Sequence, residues 1–364
     1  MSSLPKVIFG PEIWGLQNDG GISRYFKELV TGLSDIGAGG RILTQNNVNS
    51  RLTTIATERF KVQHLGDSTD IYSEISRILS NEPDTNIYHP TYYTRHLGRI
   101  RLPNTRVILT VHDMISELFP EKKKRFAKKI DEKKLSVDMA DHIICVSNTT
   151  KNDLVNLYNV SQDRISVVLL GSNLGSLGIS ASFSSPKRSY LLYVGKRDGY
   201  KNFWNFVVGY ARSKSLVSNF MIVAFGGGAF NSEEISKLKN LGIVDDVIQV
   251  TGSDEQLAMY YRNAACLVYP SLYEGFGLPP VEAMSLNCPV VASYGGSIRE
   301  ICKEASAYFD PTCIDSIQHA LQETLGDQNR LNEMRIQGLK HVKSLTWEKT
   351  ASATLSVYRQ VLGN

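Results

Sequence analysis

The sequence predicts an α/β chain made of two parallel-sheet domains whose strand ends face one cleft. Three observations carry this expectation. Short continuous apolar runs alternate with helical patterns along the whole chain, as strands do when helices cover both faces of a parallel sheet. At 364 residues the chain is too long for one ordinary domain. A Gly/Ser-rich run without periodicity, GSNLGSLGISASFSSPK from Gly171 to Lys187, divides the alternation into two halves. The expected division is a first domain over 1–171, a linker over 172–188, a second domain over 189–345 and a terminal helix over 346–364.

Composition narrows the class. A hydrophobic content of 42% with 21% charged residues is that of a soluble globular chain, and a net charge of +4 makes nucleic acid an unexpected partner. Five cysteines show no CxxC spacing and four lie in or beside apolar runs, so buried reduced thiols are expected. The start, MSSLPKVIFG, has no apolar signal segment and no run reaches membrane-spanning length. The expected location is cytoplasmic.

In the first half, Lys6–Gly10 reads as a strand. A polar loop containing Gly20-Gly21 follows, then a helix over Ile22–Ile36 with Ile22, Tyr25, Phe26, Leu29, Val30 and Leu33 on one face. A Gly pair between strand and helix lets a ligand approach the backbone, and it equally serves a tight turn. Further strands are expected at Arg41–Thr44, Asn86–His89, Val107–His112, His142–Ser147 and Ile165–Leu169, with helices at Asp70–Leu79 and Asn152–Tyr158. His112 stands at a strand's carboxyl end, where open α/β sheets bind ligands, although a structural histidine fits the position as well. Residues 121–135, EKKKRFAKKIDEKKL, form a basic amphipathic helix. It reads either as a solvated face or as a peripheral contact with an anionic membrane or acceptor.

The second half opens with the strand Tyr190–Gly195. The basic loop Lys196-Arg197-Asp198-Gly199-Tyr200-Lys201-Asn202 then leads into an aromatic-rich helix. Cations at a helix start are unfavourable unless an anion joins them. Strands follow at Phe220–Phe225, Val247–Thr251, Cys266–Tyr269 and Val290–Ser293. Gly226–Gly228 is a turn, and Ser297 with Glu300 fits a capping box. Helices close the chain at Ile314–Leu325, Arg330–Val342 and Trp347–Leu362.

The densest stretch is VYPSLYEGFGLPPVEAMSLNCPVVAS, Val268–Ser293. It encodes a strand, a loop, a short helix that Pro279 and Pro280 start and Asn287 and Pro289 stop, and another strand. Glu274 and Glu282 flank Gly275, Phe276, Gly277 and Leu278 at the helix start. Carboxylates accept hydrogen bonds from vicinal hydroxyls, and Arg197 or Lys201 can neutralise a diphosphate. No Asp-x-Asp pair ends a strand, so two cations in place of a metal hold the phosphates in this reading. No metal or other cofactor is expected.

Together these residues resemble the retaining family 4 glycosyltransferases. The resemblance runs from Gly20-Gly21-Ile-Ser-Arg-Tyr through Val111-His112-Asp113, Tyr193-Val-Gly195 and Lys201-Asn202. It continues through the E-x7-E signature, Glu274 to Glu282, and ends in the helix headed by Trp347. It implies the GT-B fold: two Rossmann-like domains, the second binding a nucleotide sugar and the first an acceptor, with the terminal helix returning to the first domain. It further implies that Glu274 contacts donor-sugar hydroxyls, Glu282 the ribose and a basic pair the diphosphate. His112 would lie near the transferred sugar, and Gly20, Gly21, Gly195 and residues 275–278 would help bind the donor. The family pattern spaces its Arg and Lys by four residues, whereas three separate Arg197 from Lys201, so Lys196 is an alternative to Arg197. The Gly-Tyr-Lys-Asn and Gly-Ile-Ser-Arg-Tyr forms are similar to a branch that builds bacterial surface polysaccharides, including lipopolysaccharide. That branch implies mannose, with a GDP-sugar favoured over a UDP-sugar, moved to a saccharide or lipid-linked acceptor at the inner face of the membrane. A sugar-nucleotide epimerase and a non-catalytic sugar-nucleotide binder are the competing classes. A Rossmann oxidoreductase fits least, because no dinucleotide fingerprint follows either first strand.

Overall fold

Each half of the chain folds around its own parallel sheet, and the strand orders decide where ligands can go. The computed structural model describes residues 4–16, 20–45, 57–66, 70–82, 85–100, 104–176 and 186–363, with the side chains at 85 and 120–125 left aside. Contacts divide the chain into one unit of Met1–Leu170 with Trp347–Asn364 and a second of Gly171–Thr346. Most of the expected linker, residues 177–185, lies outside the described residues.

The first sheet holds β1 (Lys6–Phe9), β2 (Gly39–Thr44), β3 (Phe60–His64), β4 (Thr85–His89), β5 (Arg106–Val111), β6 (His142–Cys145) and β7 (Ile165–Val167) in the order β3-β2-β1-β4-β5-β6-β7. Its helices are α1 (Gly21–Asp35), α2 (Ile71–Asn81), α3 (Ile115–Leu118), α4 (Pro120–Met139) and α5 (Asn148–Tyr158). The second sheet holds β8 (Tyr190–Val194), β9 (Met221–Phe225), β10 (Val247–Val250), β11 (Cys266–Tyr269), β12 (Val290–Ser293) and β13 (Ser306–Phe309), ordered β10-β9-β8-β11-β12-β13. Its helices are α6 (Phe203–Ala211), α7 (Lys214–Asn219), α8 (Ser232–Asn240), α9 (Asp254–Asn263), α10 (Leu278–Ser285), α11 (Ile298–Cys302), α12 (Ile314–Gly326) and α13 (Gln328–Val342). Every registered strand pair is parallel.

The apolar runs read as strands are the buried ones: β6, β9, β11 and β12 have every residue buried. Two strands escaped the sequence reading, β3 and β13. Both are edge strands, and each leaves half or more of its residues partly in solvent, which removes the continuous apolar run of a central strand. The helix α1 buries Tyr25, Phe26, Leu29, Val30 and Leu33 on its sheet-facing stripe. Each such side chain contributes on the order of 1.5–3 kcal/mol by leaving water.

The last helix, α14 (Trp347–Val361), packs on α1 within the first unit. The helices approach so closely that a Cβ at Gly32 would stand 2.7 Å from the Ala351 Cβ. The Tyr358 hydroxyl bonds His89 Nδ1 at 2.7 Å, and His89 Nε2 bonds the Thr110 hydroxyl at 2.9 Å, so α14 is tied to β4 and β5.

The basic helix α4 differs from its sequence reading at one position. Lys133 is buried, only 1% of its side chain being exposed, and its ammonium pairs with the Glu117 carboxylate at 2.8 Å. It also donates to the Asp113 carbonyl at 3.0 Å, and the Tyr158 hydroxyl bonds the other Glu117 oxygen at 2.6 Å. Lys133 is therefore an anchor between α4 and the loop after β5, and it is not part of an anion-facing surface. Among the described residues, no helix is long and apolar enough to cross a membrane.

Candidate active site

In a doubly wound sheet the strand order reverses at one point, and the loops leaving the two strands there splay apart to form a crevice. In the second sheet the reversal lies between β8 and β11. The loops that follow are 195–202 and 270–277, which carry Lys201 and Glu274. Sequence reasoning gave these residues separate jobs; the structure joins them. Lys201 Nζ donates to Glu274 Oε1 at 2.7 Å, with the side chains 19% and 10% exposed. The Tyr269 hydroxyl also hydrogen-bonds the Glu274 side chain, and Tyr269 lies 5.6 Å beneath the Lys201 ammonium. Burial, followed by the Glu274 charge, pushes the Tyr269 hydroxyl well above its ordinary range, so it is a neutral donor.

Local bonds explain how the two loops meet. Asn202, in the left-handed region at φ 57°, uses its side-chain amide to donate to the carbonyls of Pro270 at 3.0 Å and Pro311 at 2.7 Å. The Leu272 N–H donates to the Tyr200 carbonyl at 2.7 Å. These bonds bracket Lys201 and stitch its loop to the one bearing Glu274.

Arg197 does not take the expected role. It is 6% exposed and its donors are already spent. Nε and one terminal nitrogen bind Glu234 at 2.8 and 3.1 Å; the other donors reach the carbonyls of Gly226, Gly228 and Ala229 at 2.9–3.3 Å. The Phe230 ring lies 4.4 Å away. Arg197 thus holds the Gly226–Gly228 loop, all at positive φ, and Glu234 neutralises it. Lys196 beside it is exposed. It lines a cleft of about 660 Å³ with Asp198, Trp204 and Lys237, and neither Lys201 nor Glu274 reaches that cleft.

Gly195 sits at φ 138° with its N–H on the Phe225 carbonyl, turning the chain out of β8. Gly277, at φ 96°, precedes α10, followed by Leu278 as its first residue. Pro279 and Pro280 lack N–H groups, so α10 presents fewer free donors than a helix start normally does. Phe276 is buried. Glu282 is 4% exposed and accepts from the Tyr261 hydroxyl at 3.0 Å, which places it inside α10's packed face.

Ser297 corrects another expectation. It precedes α11 but makes no side-chain capping bond. Its hydroxyl is shared between the carbonyls of Glu274 and Phe276, each at 3.0 Å, and its N–H donates to the Glu274 carbonyl at 3.0 Å.

In the first unit the reversal lies between β1 and β4, with Gly20 just ahead of α1 and Gly21 its first residue. Glu12, after β1, was not singled out from the sequence. Its carboxylate accepts from the Tyr88 hydroxyl at 3.1 Å and the Thr91 N–H at 2.9 Å, joining the two loops at the reversal, and burial raises its pKa. His112 follows β5 with its ring 5.0 Å from Tyr25, edge to face. Its Nε2 is buried and has no hydrogen-bond partner. Such an orphan costs about 1–3 kcal/mol and points to an absent partner.

Burial draws His112 down to about 4 and His89 to about 3, so both are neutral near pH 7. A histidine depressed in the folded state contributes stability that is present above its unfolded value, about 6.5, and is lost as pH falls toward the folded value. Glu12, raised by burial, works in the opposite sense. The expected result is a smaller loss of urea midpoint between pH 7 and pH 4.5 in His112→Asn than in the parent. Equal losses would show that His112 has the same pKa in the folded and the unfolded chain.

Known protein families match both halves of the chain. A family model described as Glycosyltransferase Family 4 matches residues 19–175, and one described as Glycosyl transferases group 1 matches 179–341. The chain belongs to the family 4 glycosyltransferases. This glycosyltransferase is 29% identical over 287 residues to O-antigen chain mannosyltransferase B of Escherichia coli, covering 75% of this chain and 74% of that one. It is 30% identical over 220 residues to an O-antigen chain mannosyltransferase of Salmonella typhimurium, covering 59% of each chain. The solved sucrose-phosphate synthase of Thermosynechococcus elongatus superposes with a TM-score of 0.79 at 20% identity, over 99% of this glycosyltransferase and 100% of that chain. The fold is GT-B.

Proposed function

We propose that this glycosyltransferase moves mannose from GDP-mannose to a saccharide or lipid-linked saccharide acceptor in surface-polysaccharide synthesis, with retention of anomeric configuration. The observation that carries this reading is the Lys201–Glu274 pair at the strand-order reversal of the second sheet. An ammonium and a carboxylate side by side suit a ligand with a diphosphate next to a polyhydroxyl ring. The two O-antigen relatives, both named mannosyltransferases, support mannose as the sugar and a surface polysaccharide as the product.

In this reading Lys201 meets the diphosphate and stabilises charge as the nucleotide leaves. Arg197 is spent and Lys196 lines a separate cleft, so Lys201 is the cation of this site. Lys201 takes the place of a metal ion, so transfer persists in EDTA. Glu274 accepts from sugar hydroxyls and Glu282 from the ribose. Neutral His112 offers its unpartnered Nε2 to a hydroxyl during transfer. Retention follows from front-side attack, with the leaving phosphate taking the acceptor proton.

A thermal-shift panel of GDP, UDP, ADP and their sugars tests the donor, since a ligand that binds only the native state raises the melting temperature by mass action. GDP-mannose at a hundred times its dissociation constant stabilises by about 2.7 kcal/mol. A shift with UDP-sugars and none with GDP-mannose would refute the donor assignment.

A further inference from the structure

We infer that Ser297 and Gly296 form a brace that positions Glu274, and that this pair determines how much the donor's sugar adds to binding. The inference rests on the donor-site reading above. Glu274 stands in a loop that is soft by composition, with Gly275 next to it and Gly277 at φ 96° beyond. A carboxylate meant to accept from particular hydroxyls needs a fixed backbone beneath it, because misplacement of about 1 Å is enough to weaken such contacts severely.

The segment after β12 supplies that fixed backbone. The Ser297 N–H and hydroxyl both reach the Glu274 carbonyl at 3.0 Å, and the hydroxyl also reaches the Phe276 carbonyl at 3.0 Å. Ser297 is fully buried, so no water competes for these bonds. Gly296 makes the approach possible. At φ 61° it brings the chain so close that a Cβ there would stand 2.6 Å from both the Glu274 nitrogen and its oxygen. Gly295 is pressed as tightly on Leu272, where a Cβ would stand 2.2 Å from the carbonyl oxygen. The Ser293 hydroxyl donates to the Ser271 carbonyl, extending the same contact. The brace and Lys201 therefore set the two ends of one residue: Ser297 its backbone, Lys201 its carboxylate. A helix-capping role does not compete with this one, since Ser297 makes no side-chain bond to α11.

The test is calorimetric binding of GDP and GDP-mannose to the full chain. The ratio of the two dissociation constants isolates the sugar's share. The expected result is that Ser297→Ala lowers this ratio about tenfold, a size typical of one lost hydrogen-bonding group, while GDP affinity stays near the parent's and the melting temperature falls by only a few degrees. In Glu274→Ala the ratio is lost, and the Ser297→Ala/Glu274→Ala double variant loses nothing more, because the brace acts only through Glu274. Should Ser297→Ala fail to fold, the near-isosteric Ser297→Cys carries the same measurement. A parent-like ratio in the Ser297 variant, or a further tenfold loss in the double variant, would overturn the brace. A parent-like ratio in Glu274→Ala would overturn the donor-site reading itself, whatever the Ser297 variant does.

Discussion

Replacing Glu274 or Lys201 with Ala lowers glycosyl transfer by about 10²–10³-fold, the range seen when one preorganised electrostatic contact is removed. The two losses differ in kind. Glu274→Ala frees the Lys201 ammonium from its 2.7 Å partner, so GDP affinity does not fall and the deficit appears in sugar binding and turnover. Lys201→Ala leaves the Glu274 carboxylate without its cation at the place proposed for the diphosphate. GDP affinity then falls along with turnover. Melting temperatures fall in both variants, more in Lys201→Ala, which strands the largely buried Glu274 carboxylate, so turnover and affinity are compared well below the unfolding range. Turnover within tenfold of the parent in both variants would contradict the proposed site.

The second large effect is on stability. Lys133→Ala strands the buried Glu117 carboxylate and the Tyr158 hydroxyl bonded to it, and removes the donor to the Asp113 carbonyl. Breaking a buried pair from one side costs about 3–5 kcal/mol, which for a unit of this size lowers the melting temperature by roughly 10 °C. The double variant Lys133→Met/Glu117→Leu recovers most of that loss, because it removes both charges together. Calorimetry on the parent and the two variants decides. A double variant as unstable as Lys133→Ala would show that the charge itself is not the cause.

Much of the site was legible because its signals are local. Glu274, the glycines around it and the prolines that start α10 lie within a few residues of each other, and their chemistry follows from that spacing. Lys201-Asn202 was visible for the same reason. Edge strands β3 and β13 were not, since a half-exposed strand lacks the apolar run that marks a central one. Glu12 carried no pattern of its own. Its partners are Tyr88 and Thr91, which arrive on another strand and loop. Ser297 and Glu300 satisfied a capping pattern, yet the Ser297 hydroxyl bonds two carbonyls more than twenty residues away.

By itself the sequence determined the two α/β halves, their buried strands and the acidic segment Glu274–Glu282. Each depends on periodicity or spacing along the chain. Only the tertiary structure decided the partnerships. Lys201 and Glu274 lie 73 positions apart and meet because β8 and β11 are neighbours in the sheet. Arg197 belongs to Glu234 and the Gly226–Gly228 loop because β9 runs along the other side of β8. Two cations four positions apart look interchangeable in the sequence, and the strand order sends them to opposite tasks.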